Sequence, residues 1–312
     1  MANSPDPQLV EAHNQKVCQA VQAQADGRYG LALALHEEAL DLAKQLESRR
    51  MMHAAWLNRS SCLLSLNDPE GAQEGLAAII LESDKPRHVS QAAGQLAETL
   101  VRQGRYEKAH NYLQTCLEQA RLTEDPWQEG WALVLQGHSL VLQGQPEDAL
   151  EPYRRAIDVH QNLPLDGPTP LEGTLASVID FLGHAQVLAG QVPAGIGTLH
   201  KARQLTIAAG HRRLLGEVEV DLGFAFLLAD RPRAGHRHAT RALDVALEGK
   251  YQELERNSTY LLMELSLRLG RDDEFLSHFE RLQALTPGMK LSPDFFRLFD
   301  VSDLVTLKEL RA

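Results

Sequence analysis

Histidines and carboxylates are the first residues in this sequence whose types and spacing suggest chemistry. His138 and His184 each stand six positions before a glycine, Gly144 and Gly190. Equivalent places of that kind could bring two imidazoles to one ligand, with Asp180, one turn before His184, orienting a ring. Zinc sites show tighter local spacing than these two histidines do, so no metal ligation is expected. His236-Arg237-His238 puts its imidazoles on different faces of a helix and reads as a solvated, mildly basic spot. Cys18, Cys62 and Cys116 are an odd, widely spaced set. That is no disulfide framework, and each cysteine falls in a helical apolar pattern as a buried small hydrophobe would. The glycines recur singly and not as a phosphate-cradling cluster after a strand. No serine nucleophile elbow, Cys–His motif or pair of catalytic carboxylates is present. Nothing in this inventory asks for an active site or a cofactor, and a non-catalytic role is expected.

The composition narrows the classes further. The chain has 312 residues, 44% hydrophobic but only 5% aromatic, and is dominated by Ala, Leu and Gln. Strong helix formers abound, and strand-favouring runs of Val, Thr and Tyr are missing. The formal net charge of −11, with basic residues clustered only in pairs such as Arg49-Arg50 and Arg154-Arg155, argues against direct nucleic-acid contact. No long uncharged apolar run suggests a membrane span. Met1 to Gln8 lacks the basic-then-apolar order of a signal peptide, so a cytoplasmic address is expected.

The elements that must position any site are set by an internal repeat. Turn markers fall at Gly27, Asn67, Gly104, Gly144, Gly190, Asp230 and Gly270, in steps of 40, 37, 40, 46, 40 and 40 residues. Seven positions before each marker stands Ala20, Ser60, Ala97, Gly137, Gly183, Gly223 or, last, Met263. Five after it stands Ala32, Ala72, Ala109, Ala149, Gly195, Gly235 or, last, Phe275. Small residues at fixed places let two helices approach closely. A Gly or Asn marker suits the left-handed residue that ends a helix, and Pro69, Pro146 and Pro232 suit the start of the next one. Helix pairs are thus expected near 12–25 and 29–47, 51–66 and 69–82, 88–103 and 106–121, 127–143 and 147–161, 171–189 and 193–209, 211–229 and 232–248, and 251–269 and 272–285. The long step contains a proline-rich loop, 162–170, which is either a hinge between repeats 1–4 (12–161) and 5–7 (171–285) or a longer surface loop. Residues 1–11 read as a flexible N-terminus.

The segments at 96–120 and 135–157 resemble tetratricopeptide repeats, and the resemblance extends over 12–285. The period near 40 exceeds the family's usual 34 and resembles the arrays of bacterial signal-responsive regulators and of LGN-type adaptors. The resemblance implies an all-α, right-handed superhelical solenoid of about seven hairpins, whose first (A) helices line a concave groove. It places groove positions thirteen, ten, nine and six residues before each marker. On this chain these include Asn58 and Ser61; Gln91, Gln95 and Glu98; Trp131 and His138; Asp180 and His184; Glu217 and Asp221; Asn257 and Glu264. Arg102 and Arg268 share that face. The family's carboxylate clamp needs paired lysines that are absent here. The acidic rear set favours a basic or amine-bearing ligand, unless several of its carboxylates are merely solvated. The implied function is a protein- or peptide-binding scaffold. The alternative is a sensory unit controlling a transcription regulator or another signalling partner, and an enzyme on a helical scaffold ranks third.

The tail differs in character. Ser292-Pro293 reads as a cap and first turn, followed by an apolar stripe of Phe295, Phe296 and Phe299. Residues 286–312 are expected to form a helix that caps the last repeat or, as the alternative, a surface for a homodimer or partner.

Overall fold

The computed structural model describes residues 6–66, 68–163 and 171–286. Among these every regular element is an α-helix: α1 Pro7–Ala25, α2 Tyr29–Gln45, α3 Arg49–Ser65, α4 Pro69–Ala72, α5 Leu76–Glu82, α6 Pro86–Arg102, α7 Tyr106–Leu122, α8 Pro126–Leu142, α9 Pro146–Gln161, α10 Leu171–Leu188, α11 Val192–Ala208, α12 Arg212–Leu228, α13 Pro232–Gly249, α14 Gln252–Arg268 and α15 Asp272–Leu285. No helix among them is long and apolar enough to cross a membrane. The chain forms two compact units, Met1–Ser139 and Leu140–Ala312. Most of the proline-rich loop, and Phe295, Phe296 and Phe299 with the rest of the expected capping helix, lie outside the described residues.

The turn markers do what their residue types require. Gly27, Gly104, Gly144, Gly190 and Gly270 have φ between 67° and 74°, and Asp230 has φ 53°. In each turn the following N–H reaches back five residues, as Arg28 does to Ala23 and Arg105 to Leu100, both at 2.8 Å. This bond satisfies a carbonyl that the helix end would otherwise leave open. The second helix of each pair often ends the same way. Glu47, Glu124 and Lys250 adopt positive φ with ordinary side chains, and Gly210 joins them. The sequence reading placed these ends within two residues but not the left-handed residues that close them, because no glycine marks most of them.

Each of these segments matches an expected helix within two residues at one end or both, and two departures have local causes. The N-terminal eleven residues are not all irregular, because α1 already starts at Pro7. The Asp6 carboxylate caps it by accepting from the Gln8 N–H at 2.9 Å, and a proline at the first position has no amide hydrogen to leave unsatisfied. The expected single helix over 69–82 is broken into α4 and α5. Gly75 sits between them at φ 81°, and a Cβ there would stand 2.3 Å from the Trp56 ring. The indole occupies the space that a continuous helix would need for a side chain.

Small residues hold the hairpins together. Ala20, Ala97, Ala32, Ala72, Ala109 and Ala149 are wholly buried. In the second unit the approach is tighter still. A Cβ on Gly195 would lie 2.8 Å from the Gly183 carbonyl oxygen, and one on Gly235 would lie 2.9 Å from that of Gly223. Leu199, Val218, Leu222, Leu262 and Leu265 fill the layer around these crossings. At the last hairpin Met263 and Phe275 replace the small pair and pack in one apolar cluster with Phe279 and Tyr260. Gly235→Ala should force α12 and α13 apart and destabilise the second unit by about 1–3 kcal/mol. Chemical denaturation of the full chain measures this, and an unchanged midpoint would mean that the helices can separate freely.

Candidate functional site

Seven of the sequence-derived groove residues come together in one cavity of the first unit. Its volume is about 450 Å³, within the range of small-ligand pockets. α3 contributes Asn58, Ser61 and Ser65, each a turn apart. α6 contributes Gln91, Gln95, Glu98 and Arg102 at successive turns of one face, and α8 contributes Gln128 and Trp131. Leu57 and Leu64 complete the lining. All three helices are the first of their hairpins.

Gln95 and Arg102 have a structural duty that spacing could not reveal. The Gln95 Nε2 donates to the Leu57 carbonyl at 3.2 Å, and the Arg102 Nη1 donates to the Leu64 carbonyl at 3.1 Å. Donor and acceptor are 38 residues apart in both cases, so the two bonds tie α6 to α3 in register. Arg102 also pairs with Glu98 at 2.7 Å, one turn back on the same helix. The one formal charge pair in the lining is therefore closed on itself. Asn58 and Gln91, in contrast, make no side-chain hydrogen bond among the described residues, and both are half-buried. Trp131 forms a wall and packs on Gly94, where a Cβ would lie 2.3 Å from the ring. Gln128, one turn before Trp131, was missed in the sequence, although that spacing could have found it. Its Nε2 lies 3.3 Å from the Cys116 Sγ. His138, half-buried on α8, is not among the lining residues.

The second unit treats its groove candidates differently. Asp180, Asp221 and Glu264 are each under 5% exposed, and Asn257 and His184 are buried too. The possibility that these carboxylates are simply solvated is corrected here, because neighbouring first helices pack over them. The His184 Nδ1 lies 3.4 Å from an Asp221 oxygen, and its ring lies against Phe224. Glu217 pairs with Arg213 at 3.2 Å and Glu264 with Arg268 at 3.6 Å. Their charge is thus answered within the chain.

Two further expectations need correction. His238 is buried, not solvated. Its Nδ1 meets Glu219 at 2.6 Å and its ring stacks on Phe226. Arg203 reaches the same carboxylate at 2.6 Å. Burial would raise the Glu219 pKa, but the His238 and Arg203 hydrogen bonds outweigh it and hold the carboxyl below its ordinary value. The sequence placed His238 only on a helix, and the carboxylate that buries with it comes from α12, the first helix of the same hairpin, while Arg203 reaches it from α11 of the preceding one. Cys18 is exposed, whereas Cys62 and Cys116 are buried. Burial pushes the Cys62 thiol up to about 11 and raises that of Cys116, which leaves both poor nucleophiles. No group of three His, Cys, Asp or Glu side chains among the described residues converges as metal ligands would.

Comparison with known proteins agrees with the helical-repeat fold. Residues 88–162 match the tetratricopeptide repeat family model. No curated protein matches the chain in sequence. Among solved structures, the apo form of RapI aligns with a TM-score of 0.70 at 10% identity, over 88% of this chain and 97% of its own. A Rap protein complexed with competence and sporulation factor aligns with 0.64 at 14% identity, over 88% and 74%. A tetratricopeptide repeat protein from Parabacteroides merdae aligns with 0.59 at 11% identity, over 97% and 100%. At these identities the likeness is one of fold.

The buried imidazoles set a pH dependence. Burial lowers the pKa of His36 and His160, and partial burial that of His278, below the ordinary 6.5. Burial, with nearby Lys85, His53, Arg50 and Arg87, does the same to His88. The unfolded chain therefore takes up protons first as the pH drops. The stability these groups contribute is complete above 6.5 and is lost as the pH falls towards their folded values. Glu219 adds a second loss below 4.5, as the pH falls through its depressed folded value. Thermal melts from pH 6.5 downward should show a steadily falling melting temperature. A flat profile would mean that the imidazoles are as well hydrated folded as unfolded.

Proposed function

We propose that this tetratricopeptide-repeat protein is a non-catalytic scaffold that binds a protein or peptide segment in the cavity between α3, α6 and α8. The observation that carries the reading is a concave, amide-lined site with unused hydrogen-bonding capacity. Asn58 and Gln91 each offer a donor and an acceptor, which is what an extended backbone requires. Trp131 adds a large apolar wall to the same site. The absence of an activated nucleophile in this cavity fits binding better than turnover. Cys116, which touches Gln128 beside it, has a raised pKa.

The likeness to a Rap protein complexed with competence and sporulation factor supports a regulatory variant of this reading, in which the bound segment alters the hold on a signalling partner. The acidic residues of the second unit contribute to internal pairs and are not needed for the primary contact.

Capture of partners on the immobilised full chain, identified by mass spectrometry, supplies the ligand for a direct test. Asn58→Ala and Gln91→Ala should each weaken its binding measured by calorimetry. Stability should change by no more than about 0.5 kcal/mol, because both side chains are free of internal bonds. Glu118→Ala, on the exposed face of α7, should leave binding unchanged. Loss of binding in the Glu118 variant with none in the other two would move the site to the second-helix face and end this proposal.

A further inference from the structure

The geometry points to the chemical identity of the group that the cavity accepts: we infer that it is an uncharged amide, and that the Glu98–Arg102 pair excludes charged alternatives. The inference rests on the binding reading above and specifies what the bound segment must bring.

Charge is the first constraint. Glu98 and Arg102 are the only ionisable side chains in the lining, and they neutralise each other at 2.7 Å. Arg102 is anchored a second time at the Leu64 carbonyl, so its guanidinium is held in the wall. A carboxylate or ammonium entering this space would shed water and meet no free counter-charge, which is unfavourable.

Hydrogen-bonding capacity is the second constraint. A carbonyl oxygen only accepts, so the bond to Leu57 fixes the orientation of the Gln95 amide and uses one of its two N–H donors. The polar groups left open among the described residues are uncharged: the Asn58 and Gln91 carboxamides, each with donors and an acceptor, the Ser61 hydroxyl, and the side-chain oxygens of Gln95 and Gln128. An amide is their complement, because it supplies one N–H side and one C=O side without charge. Trp131 closes the site with a face that suits the apolar carbon beside such a group. The amide can come from an Asn or Gln side chain or from a peptide bond of the ligand.

Random heptapeptides displayed on phage and selected on the full chain test this. Binders are first sorted by whether Gln91→Ala abolishes their binding. Among the dependent ones, replacing the contact residue by Asp, Glu or Lys should weaken binding at least about tenfold, as expected when a buried polar group meets the wrong partner. An N-methyl scan separates the two amide sources, since a backbone source loses binding at one methylated position and a side-chain source does not. Glu98→Gln, which keeps the shape of the side chain, should release Arg102 and make Asp or Glu acceptable at the contact position. Gln91-dependent binders that demand a charged contact residue, or tolerate one equally well, would overturn the amide inference and leave the binding site standing. If no binder depends on Gln91, the site itself falls, and the inference with it.

Discussion

Most of this structure depends on one backbone device, a helix that stops in a left-handed residue and closes with a hydrogen bond reaching back five positions. The bond recurs with the same geometry at Arg28, Ser48, Arg105, Asp125, Gln145, Gln191, His211, Arg231, Tyr251 and Arg271. It ends the helix without leaving a carbonyl bare, and it reverses the chain in two or three residues. Antiparallel neighbours follow. With neighbours that close, small residues are needed at the crossings, and the glycine pairs of the second unit bring backbones within reach of a single methyl group.

The same constraint explains how a site arises from helices that carry no catalytic motif. Turns of fixed geometry set first helices side by side, so residues a repeat apart in sequence become lateral neighbours. Gln95 and Arg102 use this to bond carbonyls of α3, and they are as much part of the scaffold as of the lining. Asn58 and Gln91 sit on the same face without such ties and remain available. The cavity thus combines tied amides, which hold α6 on α3, with amides that no described residue engages.

The second unit uses equivalent positions for a different end. Asp180, Asp221 and Glu264 are buried where the first unit has an open cavity. His184 and Arg268 answer two of these carboxylates, and Glu219 gathers His238 and Arg203 around another. Removing one member of such a set would leave an unpaired charge in a dry interior, which is far more damaging than the modest net value of the pair. The contacts of His184 with Asp221 and of Arg203 with Glu219 join successive hairpins.

The sequence by itself determined the helical class, the repeat and most helix limits, because these follow from local rules. Glycine permits a positive φ, proline opens a helix, and a small residue marks a crossing wherever it recurs in phase. The resemblance to tetratricopeptide repeats, and not these local rules, put Asn58, Gln91, Gln95, Glu98, Arg102 and Trp131 on one expected face. Neither could decide which of these side chains were free. That depended on carbonyls 38 residues away, and hydrogen bonds across hairpins leave no periodic trace. Nor could they see that Trp56 breaks the helix at Gly75, that Glu47, Glu124 and Lys250 would end helices without glycine, or that His238 would be buried against Glu219. Burial of a polar side chain is decided by what packs over it, and only the tertiary structure brings that partner near.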